Sequence, residues 1–468
     1  MNRWLYRWLL AVGGGHVLLG VMLAFAAHFS ITDDYFRQLY ASTGSADLPS
    51  AAYDSLLRTM VGLFGPTVAS WGVLLCVLVS LYYRHGHPVI KPALFVALLV
   101  WCVLDSSISL YFGLAMHAYL NSAAALSIAI PLLLLKPRTH PEEPVIELRA
   151  LADRRLRILI TGGSGFIGTP LANALSQQGH DILLLTRDLG NLGGIRTRVT
   201  CLTGLQQIGD DERIDAIINL AGEPLAAARW TARRKQRFVQ SRLDMTDALL
   251  QLVQRLDSKP EVLLNGSAVG FYGHWHDEEL NESSPGRACF SHELCAQWEQ
   301  RAMRMEALGV RVCLLRIGIV LGRDGGPLEE LRRSFDMGVA ATLGTGWQWM
   351  PWIHLHDVLD ICALLIASPA ISGPVNLTAP APVTHATFVA TLKGYIPTAL
   401  FRMRLPAILV RALVGEMADE VLLSGQRALP EKLLQHCYVF RYATLDSALE
   451  HLTRQYPASE PVAVSSPR

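Results

Sequence analysis

Residues 157–168 read RILITGGSGFIG. Ile158, Leu159 and Ile160 form an apolar run of strand length, followed by a glycine turn and then a segment of helical length beginning near Phe166. In that setting Gly162 allows a sharp turn, Gly165 lets a pyrophosphate approach the backbone, and Gly168 lets the new helix pack against the strand. The phosphate would then sit at the helix N-terminus. A glycine triplet alone is a weak signal. Here a second strand, Asp181 to Leu185, follows after a helix-length segment ending at Gly179-His180, which supplies the required context. That strand runs into Thr186-Arg187, where an acidic residue would hold a ribose 2′-hydroxyl. A guanidinium there suits a 2′-phosphate, so the expectation is NADP(H). NAD(H) stays possible, with Asp188 as ribose ligand and Arg187 a solvated strand end.

The chain has 468 residues, of which 51% are hydrophobic and 17% charged, too apolar for a single soluble protein and long enough for two or three domains. A formal net charge of +1 gives no general attraction to nucleic acid, which is not expected as a partner. Eight cysteines without a CxxC pair argue against a disulfide framework or structural zinc, and read as reduced, intracellular thiols.

Four apolar runs precede residue 136: Trp8 to Phe29, Thr59 to Tyr83, Pro92 to Leu114 and His117 to Leu135. Each is close to the roughly 20 residues that cross a bilayer as a helix. Arg3 and Arg7, Arg84 and Lys91, and Lys136 and Arg138 flank them on one side, whereas the first loop carries Asp33, Asp34, Asp47 and Asp54. The positive-inside rule therefore predicts a multi-pass integral membrane protein of the bacterial inner-membrane type, with both termini and the nucleotide-binding domain cytoplasmic. A cleaved signal peptide is the competing reading of the first run, which is long for one. His16, Asp105, His117 and Asn121 are polar within these runs, either as a functional site or as hydrogen-bonding glue between helices. The glue reading comes first.

Strands expected near 157–161, 181–186, 215–220, 261–266, 311–316 and 374–378 alternate with helices, which implies a parallel sheet covered on both faces. The expected organisation is an α-helical membrane domain (1–136), a solvated juxtamembrane linker (137–156), an α/β Rossmann-type doubly wound domain binding NADP(H) (157–380), a small, mostly helical C-terminal lobe (381–455) and a disordered tail (456–468).

Further motifs carry a family resemblance. INLAGEP at Ile218 to Pro224, SAVGFYG at Ser267 to Gly273, LRIGIVLG at Leu315 to Gly322 and WIHLHD at Trp352 to Asp357 resemble the extended short-chain dehydrogenase/reductases. AGEPLAAARW, the Ser241-Arg242 pair, LCAQWE, LGRDGGPL, GPVNLTAP and GEMADEVLLSGQRALP resemble, more narrowly, the YfcH-type epimerase family. The resemblance covers Arg157 to Leu452. The membrane part looks loosely like DoxX-type domains. The family likeness implies that Gly162, Gly165, Phe166, Ile167 and Gly168 cradle the pyrophosphate and that Thr186 with Arg187 holds the 2′-phosphate. It further implies that Leu220 and Ala221 line the cofactor through backbone groups, and that Arg242 and Val320 contact it.

The wider superfamily places Tyr-x-x-x-Lys on one helix face, the lysine lowering the tyrosine pKa for proton transfer. With Glu299 as anchor, these positions fall on Ser291 and Cys295, and neither can do that job. Ser267, matching the superfamily serine that bonds a substrate oxygen, and Tyr272, in the same glycine-rich loop, are the candidate catalytic residues. Tyr272 can equally be a pocket wall. Cys295 reads as a small buried hydrophobe before it reads as a nucleophile, and His292 has no identified partner. His354 and Asp357 are as well suited to fixing a loop as to chemistry. No metal-ligand set stands out by spacing, His85 with His87 and His354 with His356 included. The expected function is a membrane-tethered NADP(H)-dependent oxidoreductase or epimerase-like enzyme acting on an apolar small molecule. The alternative is a non-catalytic NADP(H) sensor or scaffold coupled to a membrane partner; the oligomeric state is not encoded in any feature found.

Overall fold

In the computed structural model the described residues are 2–26, 29, 33, 51–85, 89–111, 115–136, 146–149, 154–187, 192, 194–225, 228–323, 325–336, 339–396 and 401–453. Asp34, Asp47, His87, Leu114, Arg138, Asp188 and the expected tail 456–468 lie outside them. The chain divides into two compact units, Met1–Glu142 and Glu143–Arg468.

The first unit contains α1 (Asn2–Ala26), α2 (Ala51–His85), α3 (Ile90–Tyr111) and α4 (Ala115–Leu134). All four are long and apolar enough to cross a membrane. Helices α1 and α2 meet along glycines. A Cβ on Gly20 would lie 2.4 Å from the Gly65 carbonyl oxygen, and one on Gly72 would lie 2.5 Å from that of Gly13. The two backbones are therefore in contact, the packing that small residues allow between apolar helices. Leu9, Leu75, Leu98 and Leu132 fill the interior, while Phe25, Leu63 and Leu133 point outward and are exposed. Asn121 Nδ2 donates to Asp105 Oδ2 across α3 and α4 (2.5 Å), as interhelical glue would, whereas His16 bonds the Val12 carbonyl one turn earlier in its own helix.

The second unit is built on a parallel sheet. Its strands are β1 (Arg157–Thr161), β2 (Asp181–Leu185), β3 (Thr200–Leu202), β4 (Ala216–Asn219), β5 (Val262–Ala268), β6 (Arg311–Ile317) and β7 (Gly373–Leu377), in the order β7-β6-β5-β4-β1-β2-β3. Side chains alternate across it with the two-residue period of a pleated strand. Ile158, Ile160, Leu184, Ile218 and Leu264 face the core beneath α5 (Gly168–Gln177) and the helix at Leu355–Ala367. Leu159, Leu183, Ile217, Leu263 and Leu314 face the opposite core, under α6 (Ala232–Arg255) and α7 (Phe290–Met303). Six strands stand where the sequence places them. β3 was not foreseen, because a three-residue edge strand is too short to show a period.

The remaining helices are α8 (Gly326–Asp336), α9 (Leu355–Ala367), α10 (His385–Tyr395), α11 (Ala407–Val414), α12 (Glu431–Gln435) and α13 (Leu445–Thr453). The apolar stretch after Pro406 is not one continuous helix. Gly415 at φ +68° ends α11, and a π-helical turn, Ala418–Leu422, follows. The connector also departs from its expected solvation. Ile146 and Leu148 are buried against the sheet core, and the Arg149 backbone N–H donates to Asp360 on α9 (3.1 Å). Arg441 donates to the same carboxylate, so one acid on α9 ties both ends of the unit.

Candidate functional site

The strand order reverses between β1 and β4, so the connections leaving their C-terminal ends run to opposite faces and leave a crevice there. The glycine turn enters that crevice. Gly162 has φ +68°, a backbone region unfavourable to side chains, and a Cβ there would lie 2.6 Å from the Leu220 carbonyl group. Gly162, Leu220 and Ala221 thus form one rim. Gly168 is tighter still: its Cβ would lie 2.3 Å from the Gly162 oxygen. Gly165 differs, since its only neighbour within 4 Å would be that same oxygen at 3.1 Å, and it is exposed with Ser164. The missing side chain there leaves open space at the start of α5, whose N-terminus carries no side-chain cap. Gly165 donates its N–H to Gly162 and Thr169 donates to Gly165, so the amides of Phe166 to Gly168, beside the open space and the helix N-terminus, are the ones that fit a dinucleotide phosphate.

The other expected contacts are placed unevenly. Phe166 packs its ring against Gly322, Gly325 and Gly326, forming the wall behind the turn. Ile167 is partly buried against the core. Thr186 is buried, with its N–H donated to Leu202, and Arg187 is exposed at the end of β2. The Val320 side chain lies in the core, so only its backbone is left to meet a cofactor. Arg242 on α6 is half-buried beneath Gly222 and lies over the Trp298 ring, 5.2 Å from its centroid. Its Nη1 donates to the carbonyls of Glu223 and Phe238, and its Nε and Nη2 bond nothing among the described residues. Burial lowers its pKa.

The two catalytic candidates lie in a buried hydrogen-bond network. Tyr272 is fully buried; its hydroxyl donates to Asn376 Oδ1 (2.7 Å) and accepts from Arg316 Nη1 (3.1 Å). Burial pushes its pKa up against the pull of Arg316. Ser267, 4% exposed, donates its proton to Glu299 Oε1 (2.6 Å). Glu299 in turn is paired twice with Arg316, Nε to Oε1 and Nη2 to Oε2, both at 3.0 Å. Neither hydroxyl has a free proton to offer a carbonyl.

The helix register is as the sequence implies. Ser291 and Cys295 lie one turn apart on α7, and both approach Gly270 of the β5 loop. Burial pushes the Cys295 thiol up to about 11, which makes it a buried small hydrophobe. Ser291 Oγ donates to Glu420 Oε2 (2.6 Å), from the π-helical turn. His292 bonds the Phe271 carbonyl. His354 caps α9 through the His356 N–H and bonds His451, while Asp357 accepts from the backbone of Arg441 and Tyr442. This motif fixes the C-terminal lobe. The buried Glu299–Arg316 pair and the Asn219–Asn265–Thr246 network beneath the strand ends were missed. For Arg316, Asn219 and Asn265 the signal in sequence was polarity inside apolar strands; Glu299 and Thr246 lie on helices.

A parallel sheet with a strand switch, an exposed glycine turn and an uncapped helix above it define a dinucleotide-binding protein of the Rossmann type. Comparison narrows the class. Residues 158–377 match the NAD dependent epimerase/dehydratase family, and residues 405–452 match a domain of unknown function, DUF1731. Epimerase family protein Mb2239 of Mycobacterium bovis is 37% identical over 298 residues, covering 63% of this chain and 97% of that protein. YfhF of Bacillus subtilis is 33% identical, covering 64% and 98%. The structure of human epimerase family protein SDR39U1, isoform 2, with NADPH superposes with a TM-score of 0.58 at 29% identity, covering 64% of this chain and 99% of that one. The chain belongs to the epimerase family, as an NAD(P)-binding member.

Proposed function

We propose that the protein is an NADP(H)-dependent oxidoreductase, tethered to a membrane by α1–α4, that reduces a carbonyl or quinone of an apolar small molecule. The observation that carries this reading is the rim at the C-terminal ends of β1, β2 and β4, with open space at Gly165 and a cation, Arg187, exposed beyond β2. Binding of NADPH by human SDR39U1 supports the same cofactor. Ser164, Gly165 and the start of α5 would hold the pyrophosphate, and Arg187 the 2′-phosphate. When bound, the cofactor supplies hydride from its nicotinamide ring. In the absence of the Tyr/Lys pair, Arg242 takes the electrostatic role: its Nε and Nη2 stabilise charge developing on the substrate oxygen, and the proton comes from solvent. Ser267 serves as a positioning residue that fixes Glu299 and the end of β5.

The test is NADPH fluorescence on residues 143–468, which correspond to a unit that relatives carry as a whole chain. Titration is followed by oxidation with a panel of quinones and lipophilic aldehydes. Arg187→Ala should weaken NADPH by about tenfold, the value of one exposed charge-assisted bond, and leave NADH unchanged. Arg242→Ala should lower acceptor-dependent oxidation. Tight binding without turnover on any acceptor would instead support the sensor reading, which the inert Ser291 and Cys295 favour; no binding would remove both.

A further inference from the structure

Three side chains that the dinucleotide site does not use converge at the start of α7. His274 comes from the loop after β5, Cys289 is the N-cap of α7, and Glu420 comes from the π-helical turn of the C-terminal lobe. One ligand atom of each lies within 4.8 Å of the other two, and all three residues are partly buried. We propose that His274, Cys289 and Glu420 form a binding site for a borderline-soft divalent cation of the zinc type, with water in the fourth position.

The donor set is the first reason. An imidazole, a thiolate and a carboxylate match the ligands zinc takes, and three protein ligands leave one position open. Tetrahedral bonds of about 2.0–2.3 Å place ligand atoms roughly 3.3–3.8 Å apart, so a contraction of about 1 Å completes the set. His274 Nε2 already lies 3.7 Å from Glu420 Oε1. The second reason is how Glu420 is held. Its Oε2 accepts from the Ser291 N–H (3.1 Å) and hydroxyl (2.6 Å), Oε1 accepts from the Phe290 N–H (3.2 Å), and the carboxylate already interacts with the Cys289 thiol. A carboxylate oxygen has two lone pairs, so Oε1 keeps one for a metal while its partners fix its direction.

The third reason is the cap. Cysteine is not a preferred N-cap, and the Cys289 thiol is a weak acceptor of the His292 N–H (3.4 Å). A metal-bound thiolate would be a far better acceptor at that helix end, where the macrodipole favours negative charge. His274 adds a buried Nδ1 with no hydrogen-bond partner among the described residues. The bound ion would clamp the π-helical turn to the start of α7, two residues before Ser291. Spacing in sequence gave no sign of this set, because the third ligand comes from a different lobe.

The experiment uses the full chain in detergent, purified through a histidine-free tag, stripped with chelator and titrated with Co²⁺ and then Zn²⁺. The expected result is one Co²⁺ per chain with a thiolate-to-metal charge-transfer band in the near ultraviolet, displaced by Zn²⁺. Cys289→Ser keeps and improves the helix cap, so it should fold while losing the band. It and His274→Ala should each weaken Co²⁺ by more than about tenfold, since even loss of an outer-shell partner costs that much. Absence of the band in the wild type, or Co²⁺ binding that persists unchanged in Cys289→Ser, overturns the proposal. NADPH binding is read separately and does not bear on it.

Discussion

Replacing Glu299 by Gln perturbs the buried pair under the strand ends without changing shape. Side chains of Arg316 and Glu299 are 4% and 8% exposed, and two 3.0 Å bonds join them. In Glu299→Gln the guanidinium loses its counter-charge, and a carboxamide N–H₂ is brought against an Arg316 donor or the Ser267 hydroxyl. Removing one partner of such a pair costs about 3–5 kcal/mol, because the remaining charge stays buried. The exposed pair Arg155–Asp181, with side chains 71% and 50% exposed, is the internal control; Asp181→Asn should cost less than about 1 kcal/mol. Equilibrium urea unfolding of residues 143–468 at neutral pH, followed by tryptophan fluorescence, measures both. Adding Arg316→Met to Glu299→Gln should recover part of the loss, since an apolar replacement of the whole pair removes the stranded charge. A cost below about 1 kcal/mol for Glu299→Gln would refute the assignment of Glu299 as the buried counter-charge of Arg316.

Two glycines separate folding from binding: Gly168→Ala forces a Cβ against the Gly162 oxygen and should destabilise the unit, whereas Gly165→Ala should leave the melting temperature nearly unchanged and weaken NADPH by more than about tenfold. Calorimetry and fluorescence titration on the same samples check this. Burial lowers His356 to about 3 and His385 to about 4 from an ordinary 6.5, and His354 is lowered as well. The unfolded chain therefore takes up protons first. Stability is full above about pH 6.5 and falls as pH drops, by on the order of 2 kcal/mol per imidazole near pH 5. His356→Asn should flatten that slope, and an unchanged slope would show that the His354–His356–His451 cluster is not its source. Restoring the superfamily pair with Ser291→Tyr and Cys295→Lys should not restore its chemistry. The new ammonium would be buried at the thiol's site, where the Arg242 charge is already felt, and the variant should unfold at lower denaturant than the parent.

The sheet was legible because its strands are buried on both faces. Runs such as Ile158–Ile160 and Ile217–Ile218 can be read without partners, and the glycine turn between strand and helix is a local signal. The register of α7 was legible for a similar reason: Glu299 anchored it, and Ser291 and Cys295 followed. What failed was anything decided by residues far apart in the chain. Tyr272 looked available in its loop, but Asn376 and Arg316, which hold its hydroxyl, lie on β7 and β6. Ile146 and Leu148 looked like part of a proline-rich connector, although their two-residue spacing was already that of a packed segment.

The double attachment at Asp360 bears on how the chain is made. Its carboxylate is 1% exposed and depends on Arg441, 81 residues later. At about 5–20 residues per second, a ribosome needs roughly 4–16 s to deliver that partner after Asp360 emerges. During that interval Asp360 has Arg149 but not its closer guanidinium partner, on a face meant for burial, and the parallel sheet, whose pairings are non-local, has only just gained β7. Sealing of the nucleotide-binding unit thus awaits residues well beyond its last sheet strand, β7. A nascent chain halted before Arg441 would hold its apolar N-terminal helices complete and its sheet unsecured.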